Sequence, residues 1–167
     1  MNLIVRLLGI PVISTINTLL SASHIKIEGA SMSPSYQKGQ HYLIDRNIYR
    51  ATSPERGDVV VFRHPSAQET ILLKRIVGLP GEQIRFSLCG SKILINCPSP
   101  ENDSYQTKAF IDETAGLELR LADDEFFVLG DNVNFSLDSR RLGPIKRSWI
   151  LGKAWIRVWK LRSRRHA

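Results

Sequence analysis

Apolar residues in this chain come mostly as short β-branched runs closed off by turn residues, and that spacing constrains the fold more than any other property of the sequence. Asp58–Phe62 reads Asp-Val-Val-Val-Phe behind Pro54 and Gly57, and Ile71–Val77 is closed by Gly78-Leu79-Pro80-Gly81. Runs this short, rich in valine and isoleucine and bounded by glycine and proline, suit buried strands better than helices. His24–Glu28 alternates polar and apolar residues, the period of a half-buried strand. Gln40–Asp45 and Phe126–Leu129 read as further strands, and Gln83–Leu88 with Lys92–Ile95 as a hairpin around Gly90-Ser91. Asn96–Asp124 is polar and irregular, an inserted lobe or long loop. Trp149–Trp159 reads as a final strand pair or a strand and helix, with Gly152 inside it. The expected fold is mainly β, a barrel or half-barrel, behind an N-terminal apolar segment.

That segment, Leu3–Leu20, is about as long as a membrane-spanning helix. It is interrupted by Arg6, Pro11, Ser14, Thr15, Asn17 and Thr18. A membrane anchor, an amphipathic segment on the bilayer surface, a buried first element and a cleaved leader ending near Ser21-Ala22-Ser23 all fit. Membrane association is the preferred reading. At the other end, Lys153, Arg157, Lys160, Arg162, Arg164 and Arg165 form a stretch with no acidic residue, which carries much of the net charge of +7. Such a tail suits a polyanion or an anionic bilayer, and equally a merely solubilising role. Cys89 and Cys97 fit no zinc spacing and are too few for a disulfide framework. A single disulfide stays open, with two free thiols slightly preferred.

Lys74 lies inside Ile-Leu-Leu-Lys-Arg-Ile-Val, a strand that otherwise reads as buried. Burial disfavours the charged form of a lysine, and a neutral amine can take a proton from a serine hydroxyl. Taken alone, such a lysine more often reaches solvent from a strand edge. Ser31, in Gly29-Ala30-Ser31-Met32-Ser33-Pro34, is by itself no more than a turn residue. The weight comes from four segments in order. They are Gly29–Pro34, Gly57–Phe62, Lys74-Arg75-Ile76-Val77-Gly78-Leu79-Pro80-Gly81-Glu82, and Gly130-Asp131-Asn132-Val133-Asn134-Phe135-Ser136-Leu137-Asp138-Ser139-Arg140.

Together these segments resemble the type I signal peptidases, membrane-bound proteases with a Ser–Lys dyad, over about Gly29 to Gly152. The resemblance implies a serine endopeptidase that removes signal peptides after small residues, in an Ala-x-Ala type site. It implies Ser31 as nucleophile and Lys74 as the base that accepts its proton. Ser136 would hydrogen-bond and orient the Lys74 amine. Asp138 and Arg140 would pair and hold the last motif, and Met32 would pack beside the substrate cleft. The Ser31 N–H would stabilise the oxyanion. No metal or organic cofactor is implied; the partners would be precursor signal peptides and membrane lipids, with no specific nucleic acid. The catalytic domain would sit on the trans side of a membrane, extracytoplasmic or lumenal. The expected division is a membrane-associated segment or anchor over 1–22, a catalytic domain over 23–160 with an inserted ribbon or loop at about 83–124, and a basic tail over 161–167.

Three positions depart from the family pattern. Many bacterial members carry a serine two residues before the nucleophile, where this chain has Gly29. Glu82 stands where aspartate is usual after Pro-Gly, and Val133 where arginine often follows Gly-Asp-Asn. Among rival readings, a histidine-based hydrolase finds no Gly-x-Ser-x-Gly setting for His24, His41, His64 or His166. A dedicated maturation protease of the same family, acting on one metalloenzyme precursor, fits the compact length and the Gly-Asp-Val-Val-Val…His-Pro run. A non-catalytic basic β-barrel would explain the charge and leave the Ser31, Lys74, Ser136, Asp138 and Arg140 set without a reason.

Overall fold

The computed structural model describes residues 22–67, 69–89, 92–96, 105–107 and 118–158. Seven strands form the main sheet: β1 (Ser23–Lys26), β2 (His41–Asp45), β3 (Val59–Arg63), β4 (Ile71–Gly78), β9 (Glu125–Leu129), β10 (Ile145–Lys146) and β11 (Ile150–Val158). Their spatial order is β1-β2-β11-β3-β4-β9-β10. A second sheet holds β5 (Gln83–Cys89), β6 (Lys92–Asn96), β7 (Tyr105–Thr107) and β8 (Glu118–Arg120), in the order β7-β6-β5-β8. Every described pairing is antiparallel. The mainly β architecture is the one the short apolar runs call for. One-turn helices at Ile48–Ala51 and Ser139–Leu142 are the only α-helical turns among the described residues.

The apolar runs are continuous because their strands are covered on both faces. Successive residues of β4 and β9 alternate between two cores. Ile76, Phe126 and Val128 join Val60, Phe62 and Ile145 in one. Val77, Phe127 and Leu129 join Ile84 and Leu121 in the other. This second core ties the ribbon sheet to the main sheet, since Ile84 comes from β5 and Leu121 follows β8. Each such side chain contributes roughly 1.5–3 kcal/mol by leaving water.

The joint between the sheets is also polar. The Gly81 N–H donates to Leu121 O at 3.1 Å, and the Leu121 N–H to Glu82 O at 2.8 Å. The Glu82 carboxylate accepts the Leu79 N–H at 2.7 Å and pairs with Arg56, which also donates to Val77 O. Glu82 thus holds the turn at the end of β4 in place of the aspartate usual in the family pattern.

Three expectations are corrected in detail. The first strand ends at Lys26, not Glu28. Beyond it the Ile27 N–H still bonds Gln40 O and the Gly39 N–H bonds Ile27 O, so the chain stays beside β2 without a ladder. Part of Asn96–Asp124 is strand, because β7 and β8 extend the second sheet. At three residues each, they are too short for alternation to show in the sequence. The final element is one strand, β11, with register shifts between Ile150 and Gly152 and between Ala154 and Ile156. The Cys89 side chain, Cys97, residues 1–21 and residues 159–167 lie outside the described residues.

Gly152 is there for space. A Cβ at that position would stand 2.4 Å from Asp45 O and 2.7 Å from Ile44 Cγ2, so β2 and β11 approach too closely for any side chain. Gly152→Ala is expected to destabilise the fold by about 1–3 kcal/mol, read as a fall in the midpoint of thermal unfolding.

Candidate active site

Ser31 sits in the loop between β1 and β2, and Lys74 in the middle of β4, paired across the ladder with Val60 of β3. The fold brings them together: Lys74 Nζ donates to Ser31 Oγ at 2.7 Å and to Leu73 O at 2.8 Å. Lys74 is only 2% exposed. Burial is the main cause that pushes its amine down to about 8; the Asp138 and Asp131 carboxylates pull it back up in part, and the Arg140 charge pushes it down again.

The dyad opens into a cleft of about 360 Å³, lined by residues 25–29 on one side and 71–74 on another, with Met32 and Val61 also on its wall. β1 ends the sheet, and β9 pairs with β4 only from Arg75 onward. Both borders of the cleft therefore offer strand edges that no described strand occupies, and an extended peptide can add to such an edge. Met32, 1% exposed, packs with Val59 and Ala154 behind the nucleophile. Among the described residues the Ser31 N–H has no hydrogen-bond partner and is available to an oxyanion. A Cβ at Gly29 would meet nothing closer than Ser31 N at 4.0 Å, so the missing serine side chain leaves open space.

The last motif buttresses this arrangement from behind. Asp138 is fully buried and forms a two-point ion pair with Arg140, Nε to Oδ1 and Nη2 to Oδ2, both at 2.8 Å. Its Oδ2 also accepts the Gly130 N–H at 3.0 Å, and its Oδ1 accepts the Arg140 N–H at the start of the Ser139–Leu142 turn. Burial works to raise the Asp138 carboxyl, but Arg140, the Ser136 hydroxyl and the Gly130 N–H together outweigh it and hold it below the ordinary value. Ser139 Oγ accepts the Val128 N–H at 2.9 Å and locks the turn to β9. Gly130 presses against the nucleophile loop: a Cβ there would lie 2.5 Å from Ser31 O and 2.2 Å from Ser136 Oγ.

Ser136 differs from its expected contact. Its hydroxyl is buried beside Gly130 and near the Asp138 carboxylate, without a well-formed hydrogen bond, while the Lys74 amine is engaged by Ser31 and the Leu73 carbonyl instead. Arg75, Asp131 and Asn132 lie within motifs quoted above, but nothing in the sequence assigned them tasks. Arg75 grips Asp131 through Nε and Nη2 at 2.9 and 2.8 Å and reaches Gly57 O at 2.9 Å, pinning the fourth motif to the strand that carries Lys74. The Asn132 N–H donates to Ser31 O at 2.9 Å and its Nδ2 to Ala30 O at 3.1 Å, fixing the nucleophile loop. Their signal was adjacency to Lys74 and to Gly130. No group of three or more His, Cys, Asp or Glu able to hold a metal occurs among the described residues.

Residues 1–159 match the family described as signal peptidase, peptidase S26. Among curated proteins, the chain is 33% identical over 141 residues to a probable signal peptidase I-2 of Synechocystis, covering 80% of this chain and 61% of that protein. It is 32% identical to signal peptidase I V of Bacillus subtilis, covering 76% of this chain and 80% of the other. A solved signal peptidase I from Enterococcus faecalis superposes with a TM-score of 0.44 at 25% identity, over 62% of this chain and 98% of that one. That superposition is too loose to add to the sequence matches.

Keeping an amine at about 8 rather than 10.5 costs folding stability wherever the folded protein must carry it protonated. The sign is that of a base whose folded pKa is depressed: the cost is full below about pH 8 and fades as pH rises toward the unfolded value. Lys74→Met is expected to be more stable than the parent at pH 6–7, by on the order of 1–3 kcal/mol. The gain should shrink above pH 8 in denaturant titrations.

Proposed function

This chain belongs to the signal peptidase, peptidase S26 family of serine endopeptidases, and on that premise we propose that it removes signal peptides from secreted or membrane precursors after small residues. Ser31 is the nucleophile and Lys74 the general base. The observation that carries this reading is the 2.7 Å contact between Lys74 Nζ and Ser31 Oγ at the end of an apolar cleft.

With the amine deprotonated, the same contact runs the other way. The Ser31 hydroxyl donates to the Nζ lone pair, and Oγ attacks the scissile carbonyl carbon as its proton passes to Lys74. Negative charge gathers on the former carbonyl oxygen, which the Ser31 N–H receives. The Lys74 ammonium then gives its proton to the leaving amine as the C–N bond breaks. A water deprotonated by Lys74 hydrolyses the acyl ester and restores Ser31. Ser136 orients the amine once substrate draws Ser31 away from its resting bond: its buried hydroxyl makes no well-formed hydrogen bond in the free protein, and the amine has a further N–H to place. Asp138 and Arg140 hold the motif that backs Ser31, and Met32 shapes the wall of the cleft. The cleft's open strand edges support an extended substrate; small residues before the cut follow from the family resemblance.

Residues 1–22 associate with the membrane, and the basic tail over 161–167 adds attraction to anionic lipid. The catalytic domain, residues 23–160 with its ribbon insert, faces the extracytoplasmic or lumenal side, where precursors emerge.

The test is cleavage of a fluorogenic peptide carrying an Ala-x-Ala site, in detergent. Wild type should cleave, and Ser31→Ala and Lys74→Ala should lose at least about a thousandfold in kcat/KM. Retained activity in either variant would overturn the dyad. The pH profile of kcat/KM should climb between pH 6 and 9 with a midpoint near 8, following deprotonation of Lys74. A flat profile over that range would remove Lys74 as the base.

A further inference from the structure

The loop that presses on Ser31 also carries an apolar feature that the chemistry above leaves unused. Between Asn132 and Asp138 the chain reads Val-Asn-Phe-Ser-Leu, and Phe135 is 74% exposed and Leu137 40%. A phenylalanine so far out in water beside a second exposed apolar side chain points to a contact surface.

This loop is held at both ends. Asn132 is bonded to Ala30 O and Ser31 O, and the Phe135 N–H closes a 3-10 turn, Val133–Phe135, on Asn132 O at 3.1 Å. At the far end Asp138 is buried in its bonds to Gly130 and Arg140. Phe135 is therefore presented on an anchored turn, three residues after Asn132, whose backbone bonds the Ser31 loop.

Position relative to the cleft gives the surface its occupant. The cleft is lined by residues 25–29 and 71–74 and runs to Ser31; no residue from 130 to 137 lines it. An extended substrate whose acyl half fills the cleft must carry its leaving half past Ser31. Outside the cleft, Gly130 and Asn132 touch the Ser31 carbonyl, and Phe135 and Leu137 flank Ser136, which lies beside Gly130.

We propose that Phe135 and Leu137 form an apolar ledge that receives the residues just after the scissile bond, so that this chain selects the start of the released polypeptide as well as the end of the leader. The proposal rests on the protease reading above and extends it to the other side of the cut. An apolar residue in the first few positions of the leaving half covers Phe135, and a Gly-Ser leaving half does not.

Two peptides test it, sharing one Ala-x-Ala half and continuing either with leucine and phenylalanine or with glycine and serine only. Binding is measured to full-length Ser31→Ala, which cannot turn over, with and without Phe135→Ser plus Leu137→Ser. The apolar continuation should bind about tenfold more tightly, and the double substitution should bring that ratio to about one. Equal binding of the two peptides, or a preference that survives the double substitution, overturns the ledge. Loss of binding to anionic phospholipid vesicles in the double variant, with the peptide preference intact, overturns it too and assigns the surface to the bilayer. Turnover by wild type is scored separately. Cleavage of both peptides with no ledge-dependent preference discards the ledge alone. No cleavage of either peptide discards the protease reading and the ledge with it.

Discussion

Everything at this site depends on keeping the Lys74 amine out of water without letting a carboxylate make it comfortable as a cation. Its direct partners, Ser31 Oγ and Leu73 O, are neutral. Two carboxylates stand close enough to favour the charged form, Asp138 and Asp131, and each is gripped at two points by an arginine. The Arg140 charge also works against the cation, so desolvation prevails and the amine titrates at about 8. An aspartate without its arginine in either place would favour the ammonium further. The Arg75–Asp131 pair also fastens the fourth motif to β4, while Asn132 ties that motif to the Ser31 loop.

The same arrangement explains why a β-sheet suits this chemistry. Lys74 is fixed by a ladder on β4, and Ser31 by Asn132 and by contact with Gly130, so neither group relies on a long flexible segment for its position. The alternation of β4 and β9 between two cores packs those strands on both faces. The nucleophile comes from a loop, but that loop is tied to the end of β9 by backbone bonds.

Much of this was legible in the sequence. Val59–Phe62, Ile71–Val77 and Phe126–Leu129 announce their strands because burial on both faces demands unbroken apolar runs. Ser31 and Lys74 were visible through four ordered segments, not through either residue alone. The pairing of Asp138 with Arg140, two residues apart, could also be anticipated. The three-residue strands β7 and β8 were not legible, since no periodicity fits in so few residues. Nor was the Arg75–Asp131 clamp, which joins residues 56 positions apart through a fold that must first be known. Ser136 shows another limit. A motif conveys that a hydroxyl belongs in the site, yet not which atom it bonds before substrate arrives.

The joint at the end of β4 gives the insert an architecture of its own. Residues 81–82 and Leu121 are bonded to each other, so the second sheet leaves and re-enters the main body at one point. Chain added or removed between them alters a closed excursion whose closure entropy changes only slowly with length. The ladder that holds Lys74 opposite Val60 lies outside that excursion, while Val77 at the far end of the same strand packs on Ile84 at its start. A family built on this plan can lengthen, shorten or redecorate the ribbon to suit a different partner or membrane, while the dyad stays where the main sheet put it.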